Sequence, residues 1–399
     1  MKELTVAVAG CSLVDSLYAN VNTSSRAFQS LRSKKNGDGG LREGELTFAD
    51  ALEKFSHKNY GEILSSLTNG EKPTARNLGG PAIVGAINAA QALYSYPVHF
   101  SFYGATGKDE KGEFIRSIIR KTPVDIRNYV TLPGATPGTD VLSDPAGNNG
   151  KGERTFINAL GVCSDYTPKH LPESFFKADV VWIGATALVP GLHMKLSSLL
   201  KKAKKNGAVT IVNTVYDFIN ERKNPDKAWP MGDGTEAYKY IDLLLMDWEE
   251  ARRLSGKEFF GEIMGFFVNS GVGAFAITRG AHAFFVWSSG RLFMPRNVTE
   301  LPVSAKVDEI LAAHPEKRGD TTGCGDNFAG GFASSLLRQL SEGKEPGTLD
   351  IYDAGAWAAA SGGFAIFTVG GTYLEKKKGE KQAYLKDLRD AYMLQINRI

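Results

Sequence analysis

The sequence predicts an α/β protein built on a doubly wound, mostly parallel sheet with a small β-rich lid. Three observations carry that expectation. Short runs rich in Val, Ile, Leu and Phe recur along the chain, most of them bounded by glycine. Helical patterns fall between them, which implies βαβ units. Two polar stretches, 20–76 and 139–157, break the alternation. With their flanks they give lid elements at about 16–76 and 131–157 inside a single domain of 1–399.

The elements follow in order. Residues 4–9 are Val-rich and closed by Gly10, a buried strand. The runs at 98–103 and 178–183 are closed by Gly104 and Gly184, and the run at 208–212 follows Gly207. Runs at 241–246 and 274–278 complete the set. Residues 81–93 read as an Ala-rich helix with one apolar face. Residues 192–205 carry leucine at helical spacing and a lysine-rich end, with Gly207 as a stop signal. Further helices are expected at 248–255, 262–269, 327–340 and 353–367. In the first polar stretch, Asn36-Gly37-Asp38-Gly39-Gly40 precedes a helix over 48–67. Residues 139–157 read as a hairpin with a Gly/Asn/Asp-rich turn at 144–152. The Lys- and Glu-rich run 375–381 reads as a solvated surface loop.

Composition excludes several classes. Hydrophobic residues at 42% and charged residues at 23% suit a soluble globular protein. A formal net charge of +3 is too small to argue for nucleic acid or an anionic membrane as partner. Cys11, Cys163 and Cys324 have no CxxC spacing, so neither a zinc site nor a disulfide framework is expected. The apolar run before Cys11 is too short for a signal-peptide core, and no run is long enough to span a bilayer. A cytoplasmic location is expected.

The chemistry sits in Gly319-Asp320-Thr321-Thr322-Gly323-Cys324-Gly325-Asp326-Asn327-Phe328, which opens a helix. Glycines let backbone N–H groups approach a ligand closely, and a helix N-terminus adds positive partial charge. Gly323, Cys324 and Gly325 would hold a transferring phosphoryl group. Asp326, at the edge of that turn, would accept a proton from a substrate hydroxyl. Taken alone, G-x-G-D reads more readily as an N-capping Asp after a turn.

The longer string resembles the C-terminal signature of the ribokinase-like (PfkB) carbohydrate kinase family. Other segments resemble that family in the same order along nearly the whole chain. Val14-Asp15 is similar to its sugar-contacting Asp, and Leu78-Gly79-Gly80 to its Gly-Gly motif under the substrate. Phe102 to Gly112 resembles its G-x-x-G-x-D-x-x-G segment, and Gly152-Glu153-Arg154-Thr155 its returning lid strand. Asp247-Trp248-Glu249-Glu250-Ala251 resembles N-x-x-E, whose Glu helps order water around magnesium. Thr278-Arg279-Gly280 resembles its T-x-G turn at the nucleotide phosphates, and Asn213 falls where a polar nucleotide contact is common. Asp320 and the Thr322 carbonyl match positions that hold a monovalent cation, potassium, in some members.

The resemblance therefore implies ATP and Mg²⁺ as cofactors, K⁺ as a further one, and a small sugar or nucleoside as acceptor. It also implies the ribokinase-like α/β/α fold, and a homodimer through the lid as in some relatives. The stretch 10–21 and the Gly-Glu-Arg-Thr strand resemble the adenosine-kinase-like branch, which contains nucleoside and sugar kinases. A sugar is the narrowly favoured acceptor. Phe28, Phe48, Phe55 and Tyr60 in the lid could stack on a base or form the lid's own small core.

Departures cluster on the substrate side. Val84 stands four residues after the Gly-Gly motif, where Asn is usual, and Asp247 replaces the Asn of N-x-x-E. Cys324 replaces an Ala, and its place at a helix N-terminus suggests a lowered thiol pKa. Neither Gly107-Lys108-Asp109 nor Gly150-Lys151-Gly152 ends as a P-loop requires, and the first strand lacks G-x-G-x-x-G. A non-catalytic sensor on the same fold would have lost the base or the anion-binding turn, and both are present.

Overall fold

The computed structural model describes residues 1–35, 37–147 and 153–397. Two sheets organise it. The larger has eight strands. They are β1 (Leu4–Gly10), β5 (Val98–Tyr103), β10 (Val180–Gly184), β11 (Val209–Asn213), β12 (Leu243–Asp247), β13 (Ala274–Thr278), β14 (Ala283–Ser288) and β15 (Arg296–Pro302). Their order is β15-β14-β13-β12-β11-β10-β1-β5, parallel from β13 to β5, with β14 and β15 antiparallel at one edge.

Alternate residues of each central strand feed opposite cores. Val6, Val8, Val180 and Trp182 join the core beneath helices Pro81–Ala92, Cys324–Ser341 and Ile351–Ala365. Ala7, Ala9, Val181 and Ile183 join the core beneath Leu196–Lys205, Trp248–Ser255 and Phe260–Asn269. Both faces are buried, so these strands read as continuous apolar runs rather than alternating ones. The chain passes from β1 to β5 on one side and to β10 onward on the other. The ends of β1 and β10 thus form a topological switch point, the usual crevice for a ligand in such sheets.

The second sheet has five strands in the order β3-β9-β8-β2-β4. These are β2 (Leu13–Tyr18), β3 (Leu46–Phe48), β4 (Ala75–Gly79), β8 (Gly138–Asp144) and β9 (Glu153–Ala159). Tyr18, Leu142 and Ile157 on one face pack with Phe28, Leu31, Leu52, Ile63 and Leu67 into a small separate core. A minor pair, β6 (Ala105–Thr106) and β7 (Val130–Thr131), completes the named strands.

Several boundaries differ from expectation. The helix expected over 48–67 is two, Ala49–Ser56 and Tyr60–Thr68. His57 takes a left-handed conformation (φ 56°) that ends the first, and Asn59 caps the second. The helix expected over 192–205 is likewise split after His193. Residues 75–79 form strand β4, after which Gly80 caps helix Pro81–Ala92, and Asp15 lies within β2. The run 375–381 is not wholly solvated: Lys376, Lys377 and Lys378 are exposed, but Lys381 is buried. Helix Glu380–Ile396 packs Lys381 inward at its first turn, a tertiary contact invisible in composition. Most of the expected 144–152 turn, Gly152 and Asn36 lie outside the described residues. Among the described residues no helix is long and apolar enough to cross a membrane.

Candidate active site

The anion-binding turn is built by two loops pressed together. Helix Cys324–Ser341 starts one turn earlier than periodicity suggests, so Gly325 and Asp326 lie in its first turn. Gly323 caps it at φ 77°, a conformation that favours glycine, and a Cβ there would overlap Gly371. The loop 368–371 is stitched to the signature: Gly319 donates to the Ile366 carbonyl (2.7 Å) and Asp320 N–H to that of Thr368 (3.0 Å). The Asp320 carboxylate accepts from Thr322 N–H (3.0 Å) and Gly370 N–H (3.3 Å). Among the described residues, the N–H groups of Gly325 and Asp326 have no protein acceptor. They are free for an anion, at the positive end of a helix of 18 residues.

Asp326 lies within reach of the charge of a second carboxylate, Asp15. Burial pushes Asp326 up to about 7. Asp15 is also pushed up to about 7, by burial and by the charges of Asp326 and Asp320, against a hydrogen bond from Thr139. Asp15 sits in a polar row across the second sheet: β-sheet register aligns it with Asn77 on β4 and Thr139 on β8, and Thr139 with Asn158 on β9. The Asn158 carboxamide donates to Thr139 Oγ1 (3.0 Å), while its buried Oδ1 has no partner among the described residues. Gly79 and Gly80 close the row at the switch point. A side chain at Gly79 would overlap the Asp15 carboxylate, and Gly80 (φ 107°) lies against the Cys11 carbonyl.

Beside the turn is a cavity of about 460 Å³ lined by Thr278, Gly280, Phe284, Cys324, Gly325 and Gly363, among others. Gly280 (φ 58°) has open space where a side chain would stand. On the adjoining strand end, Asp247 and Glu250 form a capping box: Asp247 Oδ1 accepts from Glu250 N–H (2.7 Å), and Glu250 Oε2 from Asp247 N–H (3.0 Å). Glu250 also accepts from Thr214 Oγ1 (2.6 Å). Burial and the Asp247 charge, with a contribution from Asp326, push Glu250 up to about 8; Asp247 is raised as well. Glu250 is buried while Asp247 is exposed at the strand end, so one carboxylate braces a second that is open to water, a donor pair that suits a hydrated divalent cation. No cluster of three or more ligating side chains occurs among the described residues.

Residues 70–378 match the model of the pfkB family carbohydrate kinases. The chain belongs to this family. Adenosine kinase 2 of Arabidopsis thaliana is 26% identical over 66% of this chain and 73% of its own. The 2-dehydro-3-deoxygluconokinase of Bacillus subtilis (strain 168) is 22% identical over 74% and 84%. Adenosine kinase from Schistosoma mansoni, solved in complex with 2-fluoroadenosine, superposes with a TM-score of 0.67 at 16% identity, covering 94% of this chain and 98% of its own. The fold is ribokinase-like, and the chain is a kinase.

Within the pfkB frame, the structure brings together Asp326, Gly323, Cys324, Gly325, Asp15, Gly79 and Gly80, and sets Thr278 and Gly280 on the neighbouring cavity. Asn213 is placed elsewhere. Its buried Oδ1 accepts from Trp182 Nε1 (2.7 Å), and it is not among the residues lining the cavity. The Cys324 thiol is raised to about 11, not lowered, because burial and the Asp320 and Asp326 charges outweigh the helix end. Val84 packs on Gly371 and so supports the anion turn from beneath. Asp109 clamps the strand entry by accepting from Thr136 Oγ1 (2.5 Å) and Gly112 N–H (2.8 Å), a structural duty. Phe28, Phe55 and Tyr60 form the small core, as one of the two expectations held; only Phe48 leaves it, to pack edge-on against Phe218. Thr139, Asn77 and Asn158 were not singled out from sequence, and only β-pairing aligns them with Asp15.

Proposed function

We propose that this kinase transfers the terminal phosphoryl group of ATP to a hydroxyl of a sugar. The observation that carries the reading is the anion-binding turn, where among the described residues the N–H groups of Gly325 and Asp326 have no protein acceptor, with the carboxylates of Asp326 and Asp15 near it. Asp15, Thr139 and Asn158 give a polar row suited to sugar hydroxyls. Asp326 takes the proton from the reacting hydroxyl, and a pKa near neutrality suits that task. Gly323, Cys324 and Gly325 hold the phosphoryl group through backbone N–H groups. The cavity at Thr278 and Gly280 receives the nucleotide, and Glu250 and Asp247 orient water on magnesium, which neutralises phosphate charge. The second sheet acts as a lid that excludes water from the transfer.

A second reading, a nucleoside acceptor, is favoured by one observation. A cavity of about 760 Å³ has Phe156, Tyr216 and Phe218 in its wall, and Phe156 lies on β9 two residues before Asn158 of the polar row. Aromatic faces in such a wall suit a base. Two of the compared proteins are adenosine kinases by name, and a third acts on a sugar acid. The deciding experiment is ADP release with ATP and Mg²⁺, with and without K⁺, against hexoses, pentoses, keto-sugar acids and nucleosides. Turnover with a free sugar and not with nucleosides supports the first reading; the reverse supports the second. No turnover with any acceptor, with ATP bound, would overturn both.

A further inference from the structure

Lys381 is among the largest fully buried side chains, 1% exposed, and the proposed chemistry makes no use of it. Its Nζ donates to Asn327 Oδ1 (3.1 Å) and stands 5.7 Å from the centre of the Phe364 ring. Burial pulls its pKa down to about 7, opposed by the Glu375 carboxylate, which accepts from the Lys381 N–H (2.9 Å). Burying an ammonium group is costly, and its position explains what it could do.

Asn327 directly follows Asp326 and is 1% exposed. Its Nδ2 donates to the carbonyls of Gly323 (2.9 Å) and Gly371 (2.8 Å), the two glycines at which the anion-binding loops touch. An ammonium group has only donors, so it obliges the amide oxygen to face it and the NH₂ to face the carbonyls. A charge-assisted bond to that oxygen also strengthens the amide as a donor. We propose that Lys381 is a positioning residue for phosphoryl transfer, whose buried ammonium locks Asn327 and thereby the two loops that shape the anion-binding turn. The inference rests on the kinase reading but does not depend on the acceptor.

The test is acceptor-free. Affinity for Mg·ADP is compared with affinity for Mg·ADP plus aluminium fluoride, which mimics the transferring phosphoryl group, in wild type, Lys381→Met, Asn327→Ala and the double variant. Lys381→Met is expected to lower the fluoroaluminate enhancement by about 10- to 100-fold while ADP alone binds as before. Asn327→Ala should show the same loss, and the double variant no further loss, since both act through one amide. Asn327→Ala also carries the test if Lys381→Met does not fold. An unchanged enhancement, an equal loss of ADP affinity, or losses that multiply in the double variant would overturn the proposal. If wild type gains nothing from fluoroaluminate, the anion-turn reading fails first and this inference falls with it.

Discussion

At the scale of single residues, the site is governed by carboxylates forced out of water. Asp326 and Asp15 are both raised to about 7 and Glu250 to about 8. A folded-state pKa above the unfolded value means that the native protein binds the extra proton between the two. Stability from these groups is therefore full below about pH 4 and is lost as pH rises through 7. Activity runs the other way, because Asp326 must be ionised to act as a base. Turnover should rise as pH climbs through about 7, measurable as the acid limb of a pH–rate profile. Asp326→Asn should lower turnover about 100- to 10,000-fold with nucleotide affinity nearly intact. The same substitution should raise the melting temperature at pH 8 by a few degrees, on the order expected for relieving one buried charge. Near-normal turnover in that variant would remove Asp326 from the mechanism. Glu250→Gln should raise the Mg²⁺ concentration for half-maximal rate by about 10-fold or more, read from a magnesium titration.

At the scale of elements, the turns carry the constraint. Gly80 caps helix Pro81–Ala92 at φ 107° with the Cys11 carbonyl 2.6 Å from where a Cβ would stand. Gly80→Ala should destabilise the fold by about 1–3 kcal/mol, measured by urea unfolding, because both strain and overlap oppose it. Asp320 staples two loops through Thr322 and Gly370. Asp320→Ala should weaken the fluoroaluminate complex more than ADP binding, since the staple holds the two loops that shape the anion-binding turn. Strands β5 and β13 and helix Trp248–Ser255 were legible to the residue, because each is an uninterrupted apolar or capped segment. The breaks at His57 and after His193 were not, because a left-handed residue and a turn inside an amphipathic pattern leave its periodicity almost intact.

At the scale of the molecule, the second sheet is anchored in the main body by Val14 and Leu78, which join its large core, and braced at its rim. Phe48 packs on Phe218 at 5.8 Å and lies under Arg222 at 4.9 Å, while Arg76 pairs with Glu110 across the other end. Phe48→Ala should raise KM for the acceptor about 10-fold with little change in KM for ATP, because it loosens the lid and not the nucleotide cavity; equal changes in both would argue against that division. The sequence alone determined the α/β class, the signature turn, the place of Asp326 as the proposed base and the Gly79-Gly80 pair. Those features are local: apolar runs, glycines and a capped helix start are written in consecutive residues. Tertiary structure alone decided the polar row Asn77–Asp15–Thr139–Asn158, the inward turn of Lys381 and the raised Cys324 thiol. Each depends on strands or helices far apart in the chain meeting with water excluded between them, and neither register nor desolvation can be read from neighbours along the chain.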